Sequence, residues 1–535
     1  MSDGAIDPNR RDRLRYLFVA LLAISFSSYQ LYTAIFGALE PLIHRPIHLG
    51  FALGLVFLLY PARKRDSIKP FDVALAGLGM SLGLYLVLNY ERLLLSIGRY
   101  ETVDYLVGTV GVLVVLESCR RVVGLPLLVV SVGFILYAIF GDLFPGFLTH
   151  RGFSVERVVT RLFFTTEGIL GIPLGASATY IFLFLLFGSL LRYTGVAAYF
   201  FLLATRLAGS RTGGAAKVAV VASGLFGSVS GSAIANVMGT GSFTIPMMKK
   251  LGYSAEFAGA TEAAASTGGQ LLPPVMGTAA FLVAEFLGLS YWTVVKAAII
   301  PGLLYFTGIY VAVHFEAKHR GLTGLPSAEL PSWSEVLGKI YLASPLVLVM
   351  VLLGLGASPT RSALYSMLGC LAVGFVNPSC AITLSGLVGV MREAAESALS
   401  VAVATASAGI IVGVVTLTGI GLKLGDGLIS LAQGNLFLTL GFVALTALVL
   451  GMGVPTAPNY VITSMVAAPA LLKLGVAPLA ANMFVLYYGI VSDVTPPVCL
   501  SAFAAAAVAK SDPIKTGIQA FKNAAGVFWL LSSLY

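Results

Sequence analysis

The segment GSVSGSAIANVMGTGSF, residues 227–243, combines glycine, serine, threonine and Asn236 without a single charge, although the surrounding chain is strongly apolar. Uncharged hydroxyl, amide and carbonyl oxygens are ligands that suit a hard cation such as Na⁺. Small residues of this kind also allow helices to pack closely inside a membrane. Taken alone, the segment favours the packing interpretation over an ion site.

A second segment reverses that preference because it repeats the first. Residues 236–275 and 459–498 align without a gap at an offset of 223 (459 − 236 = 223), with ten of forty positions identical. Each copy reads N-x3-T-x5-P-x3-K-L-G-x20-P-P-V. A chance match between two segments rich in Ala, Leu and Val does not readily place these polar and proline residues in one register. The chain therefore contains an internal repeat.

Each copy of the repeat ends in a double proline, which interrupts the hydrogen bonding of a helix. Interrupted helices occur at membrane depth only where they line a cavity or are buried in protein, because lipid cannot satisfy the freed backbone groups. Two interrupted segments in corresponding halves of a chain indicate the binding site of a secondary transporter. Freed carbonyls suit a cation, and the N-termini of half-helices suit an anionic substrate.

Two carboxyl groups lie inside the repeated apolar segments, Glu262 in ATEAAASTGG and Asp493 in IVSDVTPP. Carboxylates within a membrane usually mark ion or proton pathways. The alternative for each is a hydrogen-bonded helix cap or a position that faces the cytoplasm. Both interpretations stay open for Asp493, whereas the structural one is favoured for Glu262. Glu167, near a predicted helix end, is expected to be structural.

Histidine and cysteine show no spacing typical of a metal or catalytic site. We expect the histidines, which fall in loops or near span ends, to contact solvent: His44, His48, His150, His314 and His319. We expect the cysteines to be packed in the protein interior: Cys119, Cys370, Cys380 and Cys499. The chain also lacks a phosphate-binding loop, and GSVSG does not match the G-x-S-x-G spacing of a nucleophile elbow. The sequence therefore predicts neither an enzyme nor transport driven by ATP.

The elements that position these segments are membrane-spanning helices. The 535 residues are 58% hydrophobic and 11% charged, with a mean hydropathy of +0.92, whereas soluble domains carry about 25% charged residues. Apolar runs recur throughout and predict an all-α polytopic membrane protein with about 14 to 16 spans or half-spans. No cleavable signal peptide is evident.

The net charge of +9 reflects basic clusters in short loops and predicts no nucleic-acid partner. The clusters recur after every second apolar segment, which by the positive-inside rule places the N-terminus in the cytoplasm. They comprise Arg10, Arg11, Arg13 and Arg15, then Arg63, Lys64 and Arg65, then Arg120 and Arg121.

The chain divides into two parts that differ in amino-acid composition. Residues 1–122 have the pattern of four spans with short loops, and residues 123–535 are richer in Gly, Ser, Thr and Pro within their apolar segments. A long polar connection near residues 316–335 separates a first repeat at about 160–315 from a second at about 335–535. We therefore predict a four-helix module followed by a larger permease-like part.

At its motifs the sequence resembles the large membrane subunit of a tripartite ATP-independent periplasmic (TRAP) transporter. The segments that carry the resemblance are SVSGSAIANV (228–237), TIPMMKKLGY (244–253), GGQLLPPV (268–275), GMGVPTAPNY (451–460), APALLKLGV (468–476) and DVTPPV (493–498). The segment TTEGILGIPLGASATYIFLFLLFG (165–188) is similar to the TAXI-type branch, in which small and large subunits are commonly fused. Residues 1–122 would then be the small-subunit-like module and residues 123–535 the large-subunit-like permease.

The resemblance implies an elevator-type fold of the ion-transporter superfamily, with inverted repeats and two re-entrant hairpins that begin near Gly227 and Gly451. It implies symport of a small organic acid, such as a C4-dicarboxylate, with Na⁺ or H⁺ as coupling ion and no cofactor. The expected partners are a TAXI-type periplasmic binding protein, the carboxylate substrate and the lipid bilayer of a bacterial or archaeal inner membrane. A fused small subunit implies a monomer.

The resemblance also implies which residues form the sites. One cation site is expected at Ser232, Asn236 and Gly268, a second at Thr456, Asn459, Val491 and Asp493, and no metal beyond the transported cation. The substrate is expected between the two hairpin tips, near Ser230, Gly231, Thr267, Gly453, Pro455 and Thr495. Two alternatives remain: a stand-alone cation-coupled carboxylate carrier without a binding protein, and a polytopic membrane enzyme.

Overall fold

The computed structural model describes residues 8–63, 68–96, 98–377 and 382–532, and these contain helices and loops but no strand. Long apolar runs form these helices, and proline at the first helical position or a Ser or Asn cap starts many of them. In chain order the first helices are α1 (Pro8–Phe36), α2 (Pro41–Leu59), α3 (Pro70–Leu88), α4 (Tyr90–Leu95), α5 (Thr102–Val122), α6 (Leu125–Ile139), α7 (Val155–Phe164), α8 (Ile172–Ala176) and α9 (Phe182–Tyr193).

The remaining helices include both copies of the repeat. They are α10 (Val196–Ala208), α11 (Gly214–Ser230), α12 (Ala233–Lys250), α13 (Ala255–Gly269), α14 (Thr278–Leu287), α15 (Tyr291–His319), α16 (Trp333–Gly338), α17 (Ser344–Gly354), α18 (Pro359–Val376), α19 (Leu384–Thr418), α20 (Ile420–Leu431), α21 (Leu436–Gly451), α22 (Thr456–Val466), α23 (Ala468–Lys473), α24 (Pro478–Val491), α25 (Leu500–Ala509) and α26 (Pro513–Ser532).

Within the described ranges, seven helical segments are long and apolar enough to cross a membrane, or eight if the bent pair Ser327–Gly338 and Ile340–Gly354 forms one span. Seven further apolar helices contain only 10 to 17 residues. A bilayer crossing needs about 20 residues, so the shorter helices have the length of half-spans. The predicted all-α, multi-pass membrane fold is confirmed.

One compact unit contains Met1–Phe144, His150–Ser189 and Ile382–Val414. Helices α2 and α3 pack closely because Gly83 on α3 has no side chain and the backbone of α2 lies against it. A Cβ at Gly83 would lie 2.6 Å from the Pro46 carbonyl oxygen. A buried ion pair ties α5 to α3, with Arg121 Nη1 2.6 Å from Asp72 Oδ1. The predicted module boundary at residue 122 stays a prediction.

The expectation that the histidines contact solvent is wrong for His44 and His48, which are buried in α2. His44 Nε2 lies 2.7 Å from the Ala178 carbonyl oxygen, and His48 Nδ1 lies 2.8 Å from Gln30 Nε2. Hydrogen-bond partners offset the cost of burying these rings. The cysteine expectation is confirmed for Cys119, Cys370 and Cys499, which are buried, and Cys380 lies outside the described residues. Glu167 pairs with Arg161, as a structural residue would.

The second compact unit, Pro145–Thr149, Leu190–Ala381 and Val415–Tyr535, contains both copies of the repeat. Helices α12 and α22 begin at Ala233 and Thr456, and α13 and α24 begin at Ala255 and Pro478. Both pairs of helix starts differ by the offset of the sequence repeat (456 − 233 = 478 − 255 = 223). The two copies therefore share one order of elements: helix, tip, helix, Lys-Leu-Gly turn, helix, double-proline break, helix. In the second copy the helix after the tip is divided into α22 and α23.

Candidate ion and substrate site

The first tip is a two-residue turn, Gly231 and Ser232, between α11 and α12. Gly231 has φ +64°, and a Cβ there would lie 2.9 Å from the Met276 carbonyl oxygen, so the turn requires glycine. Ser232 caps α12: its Oγ accepts a hydrogen bond from the Ala235 amide at 3.3 Å, and the residue is exposed. The predicted cation ligand Ser232 thus has its side-chain oxygen engaged at the helix N-terminus.

Asn236 is buried between α11 and α13 in a space created by two glycines. Its Nδ2 donates to the Ser223 carbonyl at 2.8 Å, and Thr240 Oγ1 lies 3.2 Å from its Oδ1. A Cβ at Gly227 would lie 2.6 Å from both Asn236 Nδ2 and Gly269 Cα. Because neither glycine has a side chain, the Asn236 amide fits in the space beside them.

The first double-proline break runs from Gln270 to Gly277 and is tied to the first tip. The amides of Val275 and Met276 both donate to the Ser228 carbonyl, at 3.0 and 3.2 Å. The predicted substrate residues Ser230 and Thr267 have buried hydroxyls with no hydrogen-bond partner among the described residues. These hydroxyls are available to a ligand without loss of an existing contact.

Gly268 occupies a different environment from the one expected of a cation ligand. Its position faces the Tyr305 ring, which a Cβ would meet, and the Tyr305 hydroxyl donates to the Ala264 carbonyl at 3.0 Å. The glycine is therefore required by the packing of α13 against α15. Only its backbone carbonyl could serve as an oxygen ligand.

The second tip joins α21 to α22 and buries Asn459. Gly453 has φ +74°, and Pro455 stands at the cap position before Thr456. Asn459 Nδ2 donates to the Gly489 carbonyl at 2.8 Å, while its Oδ1 is buried and has no hydrogen-bond partner within the described ranges. An amide oxygen left unpaired in the interior is costly, and a cation would satisfy it.

The second break follows α24 and contains the buried carboxyl of Asp493. The carbonyl of Val491 accepts a hydrogen bond from Thr495 Oγ1 at 2.9 Å, and Asp493 lies in the short turn Ser492–Val494. Ser492 Oγ is 3.4 Å from Asn459 Nδ2. Ser492 thus joins in one region the predicted residues Asn459, Val491, Asp493 and Thr495. Sequence reasoning missed Ser492.

The two copies of the repeat meet at Gln270. Its Oε1 accepts a hydrogen bond from Thr456 Oγ1 at 2.6 Å, and its Nε2 donates to Asp493 Oδ2 at 3.3 Å. Gln270 and Asp493 are equivalent positions of the repeat (270 + 223 = 493). The structure therefore brings Thr456 and Asp493 together through a residue that the sequence interpretation omitted, although the offset of 223 pointed to it.

The site has few charged ligands. Across the described part of the chain, no group of three or more His, Cys, Asp or Glu side chains is arranged to hold a metal ion. The oxygens gathered around the two tips are hydroxyls, amides and backbone carbonyls, with Asp493 as the carboxyl in contact with Gln270. Such a set suits a weakly bound monovalent cation better than a tightly held metal centre.

Comparison with known proteins identifies the family. The sequence model of the tripartite ATP-independent periplasmic transporter, DctM component, matches residues 110–531. The chain belongs to this family. It is 26% identical over 322 residues to the sialic acid TRAP transporter large permease protein SiaM of Vibrio cholerae, covering 60% of this chain and 74% of that protein.

Two further similarities agree with this membership. The C4-dicarboxylate TRAP transporter large permease protein DctM of Pseudomonas aeruginosa is 27% identical over 361 residues, which are 66% of this chain and 81% of that protein. A crystal structure of the Alcanivorax borkumensis YdaH transporter superposes with a TM-score of 0.53 at 18% identity, covering 76% of this chain and 97% of that one. At that identity the likeness concerns the fold alone. The DctM-family chain is thus a multi-pass membrane protein with a transporter fold.

Proposed function

We propose that this DctM-family chain is the permease of a secondary active transporter that imports a small organic acid. The observation that carries the proposal is the contact of Thr456 and Asp493 with Gln270, because it joins the interrupted segments of both repeats in the protein interior. Paired interrupted segments are the usual site of substrate and ion binding in secondary transporters. The relatives named for sialic acid and C4-dicarboxylate support an acidic substrate.

The coupling ion is Na⁺ or H⁺, and it binds at the two tips. Asn236 with Ser232 and the Gly268 carbonyl forms one site, and Asn459 with Thr456, the Val491 carbonyl and Asp493 forms the other. The unpaired Oδ1 of Asn459 supports a cation at the second site. The carboxylate of the substrate lies between the tips, near the N-termini of α12 and α22, whose backbone amides attract an anion.

The two tips move together in an elevator mechanism. Their membership of one compact unit and the hydrogen bonds that Gln270 makes across the repeats support such joint movement. A periplasmic binding protein, of TAXI type, delivers the substrate, and residues 1–122 supply a fused small-subunit-like module in a monomeric permease. The chain lies in the inner membrane with its N-terminus in the cytoplasm.

Uptake by the purified permease in proteoliposomes tests the proposal. Radiolabelled dicarboxylates, hydroxy acids and sialic acid would be offered with the periplasmic binding protein, under an imposed Na⁺ gradient or an imposed H⁺ gradient. We expect uptake of one acid that needs both the binding protein and one of the gradients. Uptake without the binding protein would indicate a stand-alone carrier, and no uptake of any acid under either gradient would contradict the proposal.

A further inference from the structure

The carboxyl of Glu262 is enclosed by four hydroxyl groups in the interior of the first repeat. Glu262 is fully buried, and its Oε1 accepts hydrogen bonds from Ser223 Oγ and Thr240 Oγ1, both at 2.5 Å. Ser266 Oγ is 3.1 Å from the same oxygen, and Thr244 Oγ1 is 2.5 Å from Oε2. The proposed transport mechanism does not use this carboxyl.

Within the described part of the chain, the hydrogen-bond partners of Glu262 carry no charge that would fix its protonation state. Its hydrogen-bond partners are neutral hydroxyls from α11, α12 and α13 itself. From α15 the titratable group that touches α13 is the Tyr305 hydroxyl, which donates to the Ala264 carbonyl. From α25 and α26, small apolar or hydroxyl-bearing groups pack at Gly259: Ala505, Ala509 and Thr516. Beyond the end of α13, Asp493 is hydrogen-bonded to Gln270.

This carboxyl belongs to the first repeat alone. The position of the second repeat that corresponds to Glu262 is Val485 (262 + 223 = 485), and Ala467 corresponds to Thr244 (244 + 223 = 467). The threonines next to the tip asparagines are retained as Thr240 and Thr463. A scaffold role common to both repeats therefore does not account for the carboxyl, because α24, the counterpart of α13, forms with Val485 at this position.

Thr240 links Glu262 to the cation site. Its hydroxyl carries one proton but lies within hydrogen-bond distance of four oxygens: Glu262 Oε1 at 2.5 Å, the Asn236 carbonyl at 2.9 Å, Ser223 Oγ at 2.9 Å and Asn236 Oδ1 at 3.2 Å. A buried carboxylate needs every available donor, because an unpaired charge in the interior is very costly. When Glu262 is ionised, the Thr240 proton is therefore directed to it, and Asn236 Oδ1 is left free.

We propose that Glu262 is a proton-binding residue whose protonation opposes cation binding at Asn236. A neutral carboxyl needs fewer donors and itself donates a hydrogen bond to one of the hydroxyls, so Thr240 can turn its proton towards Asn236 Oδ1. That hydrogen bond occupies the oxygen that the cation requires, and the negative charge near the site is lost at the same time. The inference rests on the cation site at Asn236 in the proposed function. Reciprocity requires that cation binding expel the proton.

The test is the pH dependence of Na⁺ binding to the purified full-length protein in nanodiscs, with choline replacing Na⁺ in the control. We expect Na⁺ affinity to fall by up to about tenfold per pH unit on the acid side, as for competition with one proton. In Glu262→Gln the affinity should be independent of pH and lower than that of the wild type on the alkaline side, where Glu262 is ionised. Size-exclusion elution and thermal unfolding report whether this variant is folded.

A pair of threonine variants tests the link without altering the carboxyl. Thr240→Val should weaken the pH dependence, whereas Thr463→Val should retain it, although both hydroxyls donate to the carbonyl of an asparagine four residues earlier, at 2.9 Å. The proposal would be overturned if the pH dependence of Na⁺ affinity persists in Glu262→Gln. It would also be overturned if this pH dependence disappears equally in both threonine variants. If Asp493→Asn alone abolishes the pH dependence of Na⁺ affinity, the proton is assigned to Asp493, and the proposal is likewise overturned.

Failure of this inference can be told apart from failure of the proposed function. If the wild type binds Na⁺ with no pH dependence, the role of Glu262 is wrong while the cation site stands. If the wild type binds no Na⁺ at any pH, the Na⁺ site and the linkage are both wrong. Uptake under an H⁺ gradient would then decide separately whether the chain is a transporter.

Discussion

The two tip asparagines differ in the state of their side-chain oxygens. Asn236 and Asn459 are equivalent in the repeat, and each donates through Nδ2 to a backbone carbonyl at 2.8 Å. Thr240 is within reach of Asn236 Oδ1, whereas Asn459 Oδ1 has no hydrogen-bond partner among the residues described. The two proposed ion sites are therefore not equivalent, and the Asn459 site has the oxygen that most needs a cation.

The first residue-scale prediction concerns that oxygen. Asn459→Ala should lower the apparent cation affinity of uptake by about ten- to a hundredfold, because it removes a ligand interaction of roughly 1.5 to 3 kcal/mol. Asn482→Ala is the matched control: Asn482 is a buried asparagine on α24, and its Oδ1 accepts from the Tyr460 hydroxyl at 2.8 Å. The control should lose stability but keep its cation dependence. Equal cation dependence in Asn459→Ala and wild type would remove Asn459 from the site.

The second residue-scale prediction separates the two coupling ions at Asp493. Asp493→Asn keeps an oxygen that can accept from Gln270 Nε2, now 3.3 Å from Oδ2, but removes the group that can carry a proton. If H⁺ is coupled at this residue, the pH dependence of uptake should disappear. If Na⁺ is coupled, it should remain largely intact while the Na⁺ requirement weakens. Unchanged uptake under both gradients would exclude Asp493 from ion coupling.

The repeat in the sequence predicted the tip asparagines and the double prolines, but not all of their partners. Gln270 was missed because its counterpart Asp493 is a different residue type, so identity alone did not reveal the pair. The hydroxyls around Glu262 come from three helices, and their convergence depends on helix rotation that the linear pattern does not contain. Ser232 matched a ligand pattern, yet a serine just before a helix also caps it, which is its observed contact.

At the scale of elements, the tips depend on how closely α11 and α13 approach each other. A Cβ at Gly227 would lie 2.6 Å from Gly269 Cα, and one at Gly269 would lie 2.5 Å from Gly227 Cα. The two glycines thus face each other across the helix contact. These contacts support the packing interpretation of the glycine-rich segment, and the same packing positions the Asn236 amide, whose role in an ion site stays a proposal.

The element-scale prediction is that Gly227→Ala destabilises the protein and disturbs the first tip. Overpacking of an interior contact costs about 1 to 3 kcal/mol, which exceeds the gain of about 0.5 to 1 kcal/mol from alanine in a helix. Gly441→Ala on α21 is the matched control, since its Cβ would meet nothing within 4 Å. Thermal unfolding should show a lower midpoint for Gly227→Ala and an unchanged or higher one for Gly441→Ala. Equal midpoints would contradict the packing argument.

The helix starts were the most predictable elements. Proline at the start of α24 and the serine before α13 mark those boundaries in the sequence. The two helix starts are equivalent positions of the repeat, so either boundary predicts the other. The buried histidines were not predictable in this way. His44 and His48 follow Glu40 and Pro41 at the beginning of α2, and only the tertiary partners Ala178 and Gln30 show that this end of the helix is enclosed.

At the scale of the whole molecule, the distribution of positive charge predicts an orientation in the membrane. Basic residues cluster at the beginning of α1 and after α2, whereas the turn between these helices contains Glu40 and no basic residue. Cytoplasmic loops carry the excess of Lys and Arg in membrane proteins. We therefore propose that the α1–α2 turn lies on the periplasmic side and the segment after α2 on the cytoplasmic side.

Single cysteines on either side of α2 test this orientation. Ala38 lies in the α1–α2 turn and Ala62 follows α2, and neither position is basic, so the substitutions leave the charge distribution intact. We expect a membrane-impermeant maleimide to label Ala38→Cys in intact spheroplasts, and Ala62→Cys only after the membrane is permeabilised. The wild type, whose Cys119, Cys370 and Cys499 are buried, sets the background labelling. Labelling of Ala62→Cys in intact spheroplasts with protection of Ala38→Cys would reverse the proposed orientation, and with it the side on which the binding protein must dock.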